Sequence, residues 1–232
     1  MTDNNQSGAD FSLILASSVH DMKNSLGMLL NSLEDIIRDT PPQNEKQAQQ
    51  FGVLQYESAR INTELIQLLS IYRMQHNRMP VQVDEHYPIE ILEEQIARNH
   101  MLFEMNGLNV QVDCDEDLFW YYDAELVGGV VHNILVNGAR YSKETMKLSA
   151  VVEDDMLVIS VEDDGAGYPQ FMLGALDQSF KQSVSFNEGS THLGLYFAQQ
   201  TAEMHKRGEI QGKIELTNGG SLGGGVFKIY LP

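Results

Sequence analysis

The first candidate for chemistry is His20, which Asp21 follows directly and Asn24 follows one helical turn later. An unperturbed imidazole has a pKa of about 6.5, so it is largely neutral at cytosolic pH and can act as a nucleophile. A hydrogen bond from the ring to Asp21 can fix which ring nitrogen is free to attack. Asn24 lies at position i+4 and so shares a helix face with His20. The alternative interpretation is that His20 is one of seven histidines, lying on a solvated surface.

Two asparagines four residues apart, Asn133 and Asn137, share one face of an otherwise apolar segment that is typical of a helix. Their amide groups need polar partners in such a segment. Magnesium accepts carbonyl oxygens as ligands and normally keeps waters and phosphate oxygens as well. The pair therefore indicates either a magnesium and phosphate site or satisfied polar residues near a helix boundary.

A third candidate is the sequence DDGAG, from Asp163 to Gly167, which directly follows a predicted strand. Gly165 and Gly167 would let the backbone approach a planar ligand, and Asp163 would accept a hydrogen bond from an exocyclic amine. On its own this motif is weak, because most such sequences are turns. The later GGSLGGG segment is weaker still, and a hairpin turn explains most of it.

Two long helices must position His20. Their apolar residues recur at alternating spacings of four and three, which is the heptad pattern of packed helices. Pro41 and Pro42 end the first helix, so the segment predicts an antiparallel hairpin whose heptad phase leaves His20 facing water. Since a lone hairpin cannot cover its own seam on both sides, we expect a homodimer through residues 10–76 that forms a four-helix bundle. The predicted seam consists of Leu15, Val19, Met22, Leu26, Leu29, Leu33 and Ile36, followed by Leu54, Ser58, Ile61, Leu65, Leu68 and Tyr72.

The pattern changes to mixed helices and strands after Pro80. An amphipathic stretch from Pro88 to Met105 predicts one helix, and Asp123 is expected to cap the helix that carries both asparagines. Two strands around a turn at Glu153–Asp155, a later helix and a closing hairpin complete the pattern. We predict an α+β fold, with a helical hairpin at residues 10–78 and an α/β sandwich of one helical layer on one mostly antiparallel sheet at residues 84–232.

The composition excludes several classes of protein. Of 232 residues, 42% are hydrophobic and 21% are charged, as in an ordinary globular protein. The 15 Lys and Arg against 33 Asp and Glu give a net charge of −18, which argues against a nucleic-acid or anionic-membrane partner. Cys114 is the one cysteine and cannot form an internal disulfide, and no apolar run approaches the roughly 20 residues that cross a bilayer. We therefore expect a soluble cytoplasmic protein without membrane insertion.

Taken in order, these segments resemble the cytoplasmic core of two-component sensor histidine kinases. SSVHDMKNSLGML resembles the phospho-acceptor box of that family, VVHNILVNGARYS its asparagine box and VEDDGAGYP its first glycine box. THLGLYFAQQTAEMH resembles the second glycine box and GGGVFKIYLP the final strand. The resemblance covers about residues 10–232 and implies a dimeric phospho-acceptor hairpin followed by a gyrase-type ATPase domain.

The resemblance also implies a role for each candidate residue. His20 would accept the γ-phosphoryl group of ATP and pass it to an aspartate in the receiver domain of a response regulator, with Asp21 as the adjacent acid. Asn24 would orient a water that dephosphorylates this partner, and Asn137 would coordinate Mg²⁺. The residues implied to bind the nucleotide are Asn133, Asn137, Arg140, Tyr141, Asp163, Gly165, Gly167, Gly194 and Leu195.

Departures from the family pattern leave alternatives open. Ser190, Thr191 and His192 stand where a glycine-rich triplet is usual, Lys181 is the one basic residue of the expected ATP lid, and Ser25 replaces a common proline. The leading hypothesis is a histidine kinase, with or without phosphatase activity. The alternatives are a histidine phosphotransferase with a degenerate ATPase domain that binds no ATP, and a non-catalytic dimeric interaction module. Sensing would fall to a separate protein or to the bundle itself.

Overall fold

The computed structural model describes residues 21–75 except 23, 30 and 34, residues 80–175 and residues 191–232. The chain divides into two compact units, the first ending at residue 78 and the second beginning at residue 79. Within these described ranges, no helix is both long enough and apolar enough to cross a membrane.

The first unit is a helical hairpin. Helix α1 covers residues 21–39, as far as they are described, and helix α2 covers Glu45–Gln75. Asn44 caps α2, because its Oδ1 accepts a hydrogen bond of 2.9 Å from the backbone N–H of Gln47. Oε1 of Gln47 in turn accepts one from the backbone N–H of Gln43. This reciprocal pair starts α2 directly after the predicted proline-marked turn.

The predicted seam of the hairpin divides into two sets. Leu26 and Leu33 of α1 are half-buried, as are Ser58, Leu65 and Tyr72 of α2. Leu15 and Val19 lie outside the described residues. The other described seam positions recur every seven residues and expose between 37% and 55% of their surface. A single chain therefore leaves an apolar stripe uncovered on each helix. The stripe residues are Met22, Leu29 and Ile36 on α1 and Leu54, Ile61 and Leu68 on α2.

The second unit is built on a six-stranded sheet. The strands described in the whole unit are β1 Asp84–His86, β2 Asn109–Cys114, β3 Trp120–Tyr122, β4 Thr145–Glu153, β5 Met156–Asp163, β6 Gly174–Ala175, β7 Lys206–Arg207, β8 Ile210–Gln211, β9 Lys213–Asn218 and β10 Gly225–Leu231. The main sheet has the order β2-β4-β5-β10-β9-β6. Strand β2 runs parallel to β4, and the other neighbours are antiparallel. The pairs β1–β3 and β7–β8 form two small separate sheets.

Among the described residues, four α-helices accompany this sheet. They are α3 Pro88–Arg98, α4 His100–Asn106, α5 Ala124–Tyr141 and α6 Thr191–Met204. Helix α5 contacts α3, α4, α6 and strand β5. Across the four central strands, Leu148, Val161, Phe227 and Leu216 stand in one row, and each is at most 4% exposed. The predicted α+β architecture, a helical layer on a mostly antiparallel sheet, is confirmed.

The stretch predicted as one helix from residue 88 to residue 105 is two helices, which meet at Asn99. Nδ2 of Asn99 donates a hydrogen bond of 2.7 Å to the backbone carbonyl of Gln95, within the last turn of α3. The same atom lies 3.0 Å from Nδ1 of His132 on α5. The prediction of a single helix was wrong because this inward polar contact, invisible in the local pattern, breaks it.

Candidate functional site

The start of helix α5 is fixed by Asp123. Its Oδ1 accepts a hydrogen bond of 3.0 Å from the backbone N–H of Leu126, which confirms the predicted N-cap. Its Oδ2 accepts one of 2.8 Å from the backbone N–H of Gln82, in the segment before β1. Both carboxylate oxygens therefore hold backbone groups, and the register of the residues along α5 is set from its first turn.

Asn133 lies against the first turn of α6. It is only 7% exposed, and its Nδ2 finds no hydrogen-bond partner among the described residues. A Cβ on Gly194 would collide with this Nδ2, so a residue without a side chain is needed for α6 to approach so closely. A buried donor without an acceptor is costly, and a helix N-terminus attracts anions. The arrangement therefore suits an anionic oxygen such as that of a phosphate.

Asn137 lies one turn further along the same face of α5 and is half-buried. Its amide oxygen is the type of ligand that magnesium accepts, together with phosphate oxygens and waters. In the part of the chain that the structure describes, no group of three or more His, Cys, Asp or Glu side chains could hold a metal ion. The residues present fit a magnesium ion held jointly by this amide and a bound phosphate.

Asp163 is the last residue of strand β5, and one of its two carboxylate oxygens accepts hydrogen bonds from the described residues. Its Oδ1 accepts hydrogen bonds from the backbone N–H groups of Gly165, at 2.7 Å, and Gly225, at 3.1 Å. Its backbone carbonyl accepts one of 3.0 Å from the N–H of Gly224. For Oδ2, the described residues supply no donor. This oxygen can therefore accept a hydrogen bond from an amine of a ligand.

The DDGAG turn touches the last turn of α5. A Cβ on Gly165 would collide with the backbone carbonyl oxygen of Tyr141, so this position requires glycine. Asp164 secures the same junction, since its carboxylate accepts hydrogen bonds from the backbone N–H groups of Lys143, Glu144 and Thr145, at 2.7 to 3.0 Å. Slight desolvation raises the pKa of Asp164, but these donors outweigh it and hold the pKa below its ordinary value.

Three of the other predicted residues lie close to these contacts. Arg140 is exposed, and its Cζ lies 5.5 Å from the centroid of the Tyr141 ring, which is itself 54% exposed. Gly167 has a φ of +79°, which favours glycine. Leu195 is 1% exposed, so its side chain belongs to the core rather than to a ligand surface.

The structure thus brings the predicted residues of the second unit into two groups along α5. Asn133 and Gly194 form one, and Tyr141, Asp163 and Gly165 form the other. The eight steps from Asn133 to Tyr141 correspond to about 12 Å along a helix. One end of the site offers the unpaired Nδ2 donor of Asn133, and the other offers a carboxylate oxygen of Asp163 that has no donor among the described residues.

Sequence reasoning missed the contribution of the glycine-rich turn before β10. Gly224 and Gly225 approach Asp163 so closely that a Cβ on either would meet its oxygen atoms. Asn218, at the end of β9, binds the backbone of Tyr168, which follows the DDGAG turn. The signal in the sequence was the run of three glycines from residue 223 to residue 225, which exceeds what a hairpin turn requires.

The predicted acceptor, His20, lies outside the described residues. Asp21 and Asn24 are described, and both are exposed on α1 in the first unit. Ser190, Lys181 and the side chain of His192 also lie outside the described part.

Residues 122–232 match the protein family described as "Histidine kinase-, DNA gyrase B-, and HSP90-like ATPase". The chain is also 23% identical over 223 residues to the sensor protein SrrB of Staphylococcus aureus strain N315, and the match covers 94% of this chain and 37% of SrrB. The chain therefore spans about 37% of the length of the curated relatives it matches.

Solved structures share the fold. The histidine kinase AdeS of Acinetobacter baumannii superposes with a TM-score of 0.59 at 16% identity, over 91% of this chain and 96% of AdeS. Full-length ShkA, solved in complex with AMPPNP, gives 0.64 at 17% identity, over 94% of this chain and 45% of ShkA. The catalytic domain of histidine kinase ThkA gives 0.53 at 22% identity, over 65% of this chain and 95% of that domain. The resemblance to a histidine kinase core that the motifs indicated is confirmed.

Proposed function

We propose that this protein is a histidine kinase that transfers the γ-phosphoryl group of ATP to His20, because residues 122–232 match the histidine kinase-, DNA gyrase B- and HSP90-like ATPase family. The observation that carries the proposal is the buried, unpaired Nδ2 of Asn133 beside Gly194 in the first turn of α6. A donor of this kind persists where a ligand supplies its acceptor. A phosphate oxygen at this helix N-terminus meets that need.

The polarity of the site orients the nucleotide. The phosphates lie at Asn133 and Gly194, where Nδ2 of Asn133 is unpaired, and the base lies at Asp163, where Oδ2 accepts a hydrogen bond from the adenine amine. Tyr141 borders the base end of the site, and the guanidinium of Arg140 adds positive charge to a chain that is otherwise strongly acidic. The AMPPNP that ShkA binds is a nucleotide of the same kind.

Asn137 is the proposed protein ligand of Mg²⁺. When bound, this ion supplies charge neutralisation to the transferring phosphoryl group. Asn137 holds its amide oxygen on the α5 face that Asn133 shares, so metal and phosphate recognition come from adjacent turns of one helix. Catalysis by such residues is a matter of positioning and electrostatics rather than of covalent chemistry.

The nucleophile of the proposed reaction is a ring nitrogen of His20. Its lone pair forms a bond to the γ-phosphorus, the bond from phosphorus to the β,γ-bridging oxygen breaks, and ADP leaves with that oxygen. Asp21 takes the proton from the other ring nitrogen or holds it by a hydrogen bond. An exposed face of α1, where Asp21 and Asn24 lie, suits a group that must meet two different phosphoryl partners.

We further propose that the chain acts as a homodimer through its hairpin. The support is the seven-residue recurrence of the exposed stripe, which includes Leu29 on α1 and Ile61 on α2. Apolar residues repeated at this interval form the seam of a helical bundle, and a second hairpin covers both stripes at once.

The partner downstream of His20 is proposed to be the receiver domain of a response regulator, whose aspartate accepts the phosphoryl group. Asn24 then serves a separate reaction, hydrolysis of the aspartyl phosphate, by orienting a water that attacks the phosphorus while the bond to the aspartate oxygen breaks and inorganic phosphate leaves. The reaction belongs in the cytoplasm, which holds ATP.

A histidine phosphotransferase without ATP binding is the second candidate. The observation that favours it is the replacement of the usual glycine triplet by Ser190, Thr191 and His192 at the start of α6. In this version His20 receives its phosphoryl group from one receiver domain and donates it to another.

Incubation with γ-labelled ATP and magnesium tests the kinase proposal. Wild type should acquire an acid-labile label, His20→Ala should acquire none, and the matched control His100→Ala, at an exposed position on α4, should label like wild type. A folded wild type that takes no label contradicts kinase activity. Calorimetry then separates the second candidate, since a phosphotransferase should show no binding of magnesium–ATP at micromolar concentration.

A further inference from the structure

The two-stranded sheet of β1 and β3 presents aromatic side chains to solvent on one of its faces. Its strands pair antiparallel, so successive side chains alternate between the two faces. On the inner face Tyr122 is fully buried. The opposite face, here called the ribbon face, is exposed. It consists of Glu85 and Tyr121, which pair across the strands, with Tyr87 directly after β1 and Phe119 directly before β3.

The three rings of the ribbon face contact one another edge to face. The centroid of the Phe119 ring lies 6.5 Å from that of Tyr87 and 6.4 Å from that of Tyr121, with interplanar angles of 61° and 85°. The three side chains nevertheless stay 39% to 54% exposed. Exposed aromatic groups of this kind mark interaction surfaces, and rings that already hold one another lose little freedom on binding.

Glu85 adds a carboxylate to the ribbon face. Its Oε2 accepts a hydrogen bond of 2.9 Å from the Tyr121 hydroxyl. This hydrogen bond and the charge of Glu85 raise the pKa of the Tyr121 phenol, so the ring stays neutral. Among the described residues, no Lys or Arg forms an ion pair with Glu85 or lies over one of the three rings. The ribbon face therefore combines neutral rings with an unneutralised carboxylate.

Trp120, on the other face of β3, shows how this chain combines a ring, a cation and a carboxylate. Cζ of Arg207 lies 5.8 Å from the centroid of the Trp120 ring, and its Nη2 lies 2.6 Å from Oδ2 of Asp155. A guanidinium over a ring is attracted by the negative charge of the π system, and a carboxylate beside it holds it by a charge-assisted hydrogen bond. The ribbon face offers the same two partners to a cation from another molecule.

The charge around the ribbon face selects the kind of occupant. From residue 79 to residue 123 the sequence has eleven Asp and Glu, with Arg98 as the one Lys or Arg. This surplus repels nucleic acids and anionic membranes, and it disfavours a second copy of the same face. Within this chain, residues 1–20 contain no Lys or Arg, and residues 176–190 contain only Lys181. The charges therefore favour a basic segment of another protein.

We propose that the ribbon face is a docking surface for a basic segment of a partner protein, whose Arg or Lys side chains lie over Phe119 and Tyr121 and pair with Glu85. Neighbouring ring centroids lie 6.4 and 6.5 Å apart. Alternate side chains of an extended chain repeat at roughly 6.7 Å, so basic residues at every second position match the rings. None of these residues belongs to the nucleotide site, so the proposal does not depend on kinase activity.

Calorimetric titration of the full chain with a synthetic probe tests the proposal. The probe is a heptapeptide of alternating glycine and arginine with both ends blocked, in buffer with about 50 mM salt. Wild type should bind it with a dissociation constant on the order of 100 μM. The same peptide with citrulline for arginine keeps the shape and loses the charge, and it should bind at least about tenfold more weakly. Equal binding of the two peptides overturns the proposal.

Variants separate docking at the ribbon face from general attraction to an acidic protein. Phe119→Ser and Glu85→Gln should each weaken binding of the arginine peptide about fivefold. The matched controls are Phe171→Ser, which removes a ring that is 74% exposed elsewhere, and Glu104→Gln, at an exposed position on α4. Both controls should stay within about twofold of wild type. Losses in the controls as large as those at the ribbon face overturn the proposal.

Two further measurements complete the test. Thermal melts establish that each variant is folded, and if Phe119→Ser is unfolded, Tyr87→Ser and Glu85→Gln decide, with wild-type affinity in both overturning the proposal. Sedimentation equilibrium without peptide gives the mass of the folded ribbon-face variants. A mass lower than that of wild type shows that this face joins copies of the chain and overturns the proposal. A wild type that takes no label on His20 overturns the kinase proposal alone.

Discussion

The buried ring of His205 accepts a hydrogen bond through Nε2 from the backbone N–H of Asp123, with 3.0 Å between the two nitrogens. Because Nε2 is the acceptor, the ring proton lies on Nδ1, which donates to the carbonyl of Thr201 at 2.8 Å. Asp123 caps α5, so one neutral imidazole joins the end of α6 to the start of α5. Burial lowers the pKa of His205, although its contacts with Thr201 and Asp123 act in the opposite direction.

The free energy of unfolding of the second unit should fall as the pH is lowered from about 7 to about 5. A histidine in the unfolded chain titrates near pH 6.5, and the folded pKa of His205 is lower, so its stabilisation is present above about pH 6.5 and is lost below it. Burial lowers the pKa of His132 to about 4, so this residue adds to the same slope.

Urea unfolding at several pH values measures this effect, with a contribution of at most about 1.4 kcal/mol per pH unit from each histidine. His205→Gln should reduce the slope, and the exposed control His100→Ala should not. A slope that is the same in wild type and His205→Gln would show that the ring is not buried in its neutral form.

Asp123→Ala should lower the free energy of unfolding by about 1–2 kcal/mol, because α5 loses its cap and the segment at Gln82 loses its acceptor. Asp123→Asn keeps one acceptor oxygen for the N–H of Leu126 and should lose less than half as much. Chemical denaturation of both variants measures the difference. Equal losses would mean that the charge, rather than the hydrogen bond, is what matters at this cap.

Gly165→Ala should destabilise the second unit by about 1–3 kcal/mol and weaken nucleotide binding, since its Cβ meets the carbonyl oxygen of Tyr141. Gly27→Ala on α1 is the matched control, because nothing lies within 4 Å of a Cβ there. That control should be neutral or stabilising by up to about 1 kcal/mol. Thermal melts and ATP titration give the two readouts, and a Gly165→Ala variant as stable as wild type would refute the close approach.

Ile61→Glu should convert the proposed homodimer to a monomer at micromolar concentration, because it places a charge in the middle of the exposed stripe of α2. Val53→Glu is the control, since Val53 is 61% exposed but lies outside the seven-residue recurrence. Sedimentation equilibrium distinguishes the two masses. A wild-type mass equal to one chain would contradict the dimer itself.

Asn137→Ala should weaken ATP binding at least about tenfold in the presence of magnesium and change it little in its absence. The reason is that the substitution removes the proposed protein ligand of the ion and leaves Asn133 and Asp163 in place. Asn106→Ala, at an exposed position on α4, is the control. Titration with and without magnesium measures the difference, and an equal loss in both conditions would assign Asn137 to the nucleotide rather than to the metal.

Local sequence patterns predicted residues that begin and end helices. They did not predict contacts that depend on the register in which two strands pair. Asp123 was recognisable as a cap because the signal lies within four residues. The hydrogen bond from Gly225 to Asp163 spans 62 positions and exists because β10 and β5 pair with Val226 opposite Glu162. No short motif encodes that register, so the contact between the glycine-rich turn and Asp163 could not be predicted from the sequence.

The motif residues were predictable for a different reason. Asp163 and Gly165 are two positions apart and form their hydrogen bond within one turn, so the spacing of the motif is enough to predict it. Asn99 is an example of a contact that could not be predicted. It lies inside an amphipathic pattern, and nothing near it in the sequence indicates that it contacts His132, 33 residues later.

Strand β10 lies between β5 and β9, although it is the last of the three to be synthesised. The ribosome therefore releases β5 and β9 with unpaired edges, and these edges stay open until Leu231 has left the exit tunnel. Closure of the sheet therefore waits for its last strand. A product truncated before β10 would expose the edges of β5 and β9 to neighbouring chains.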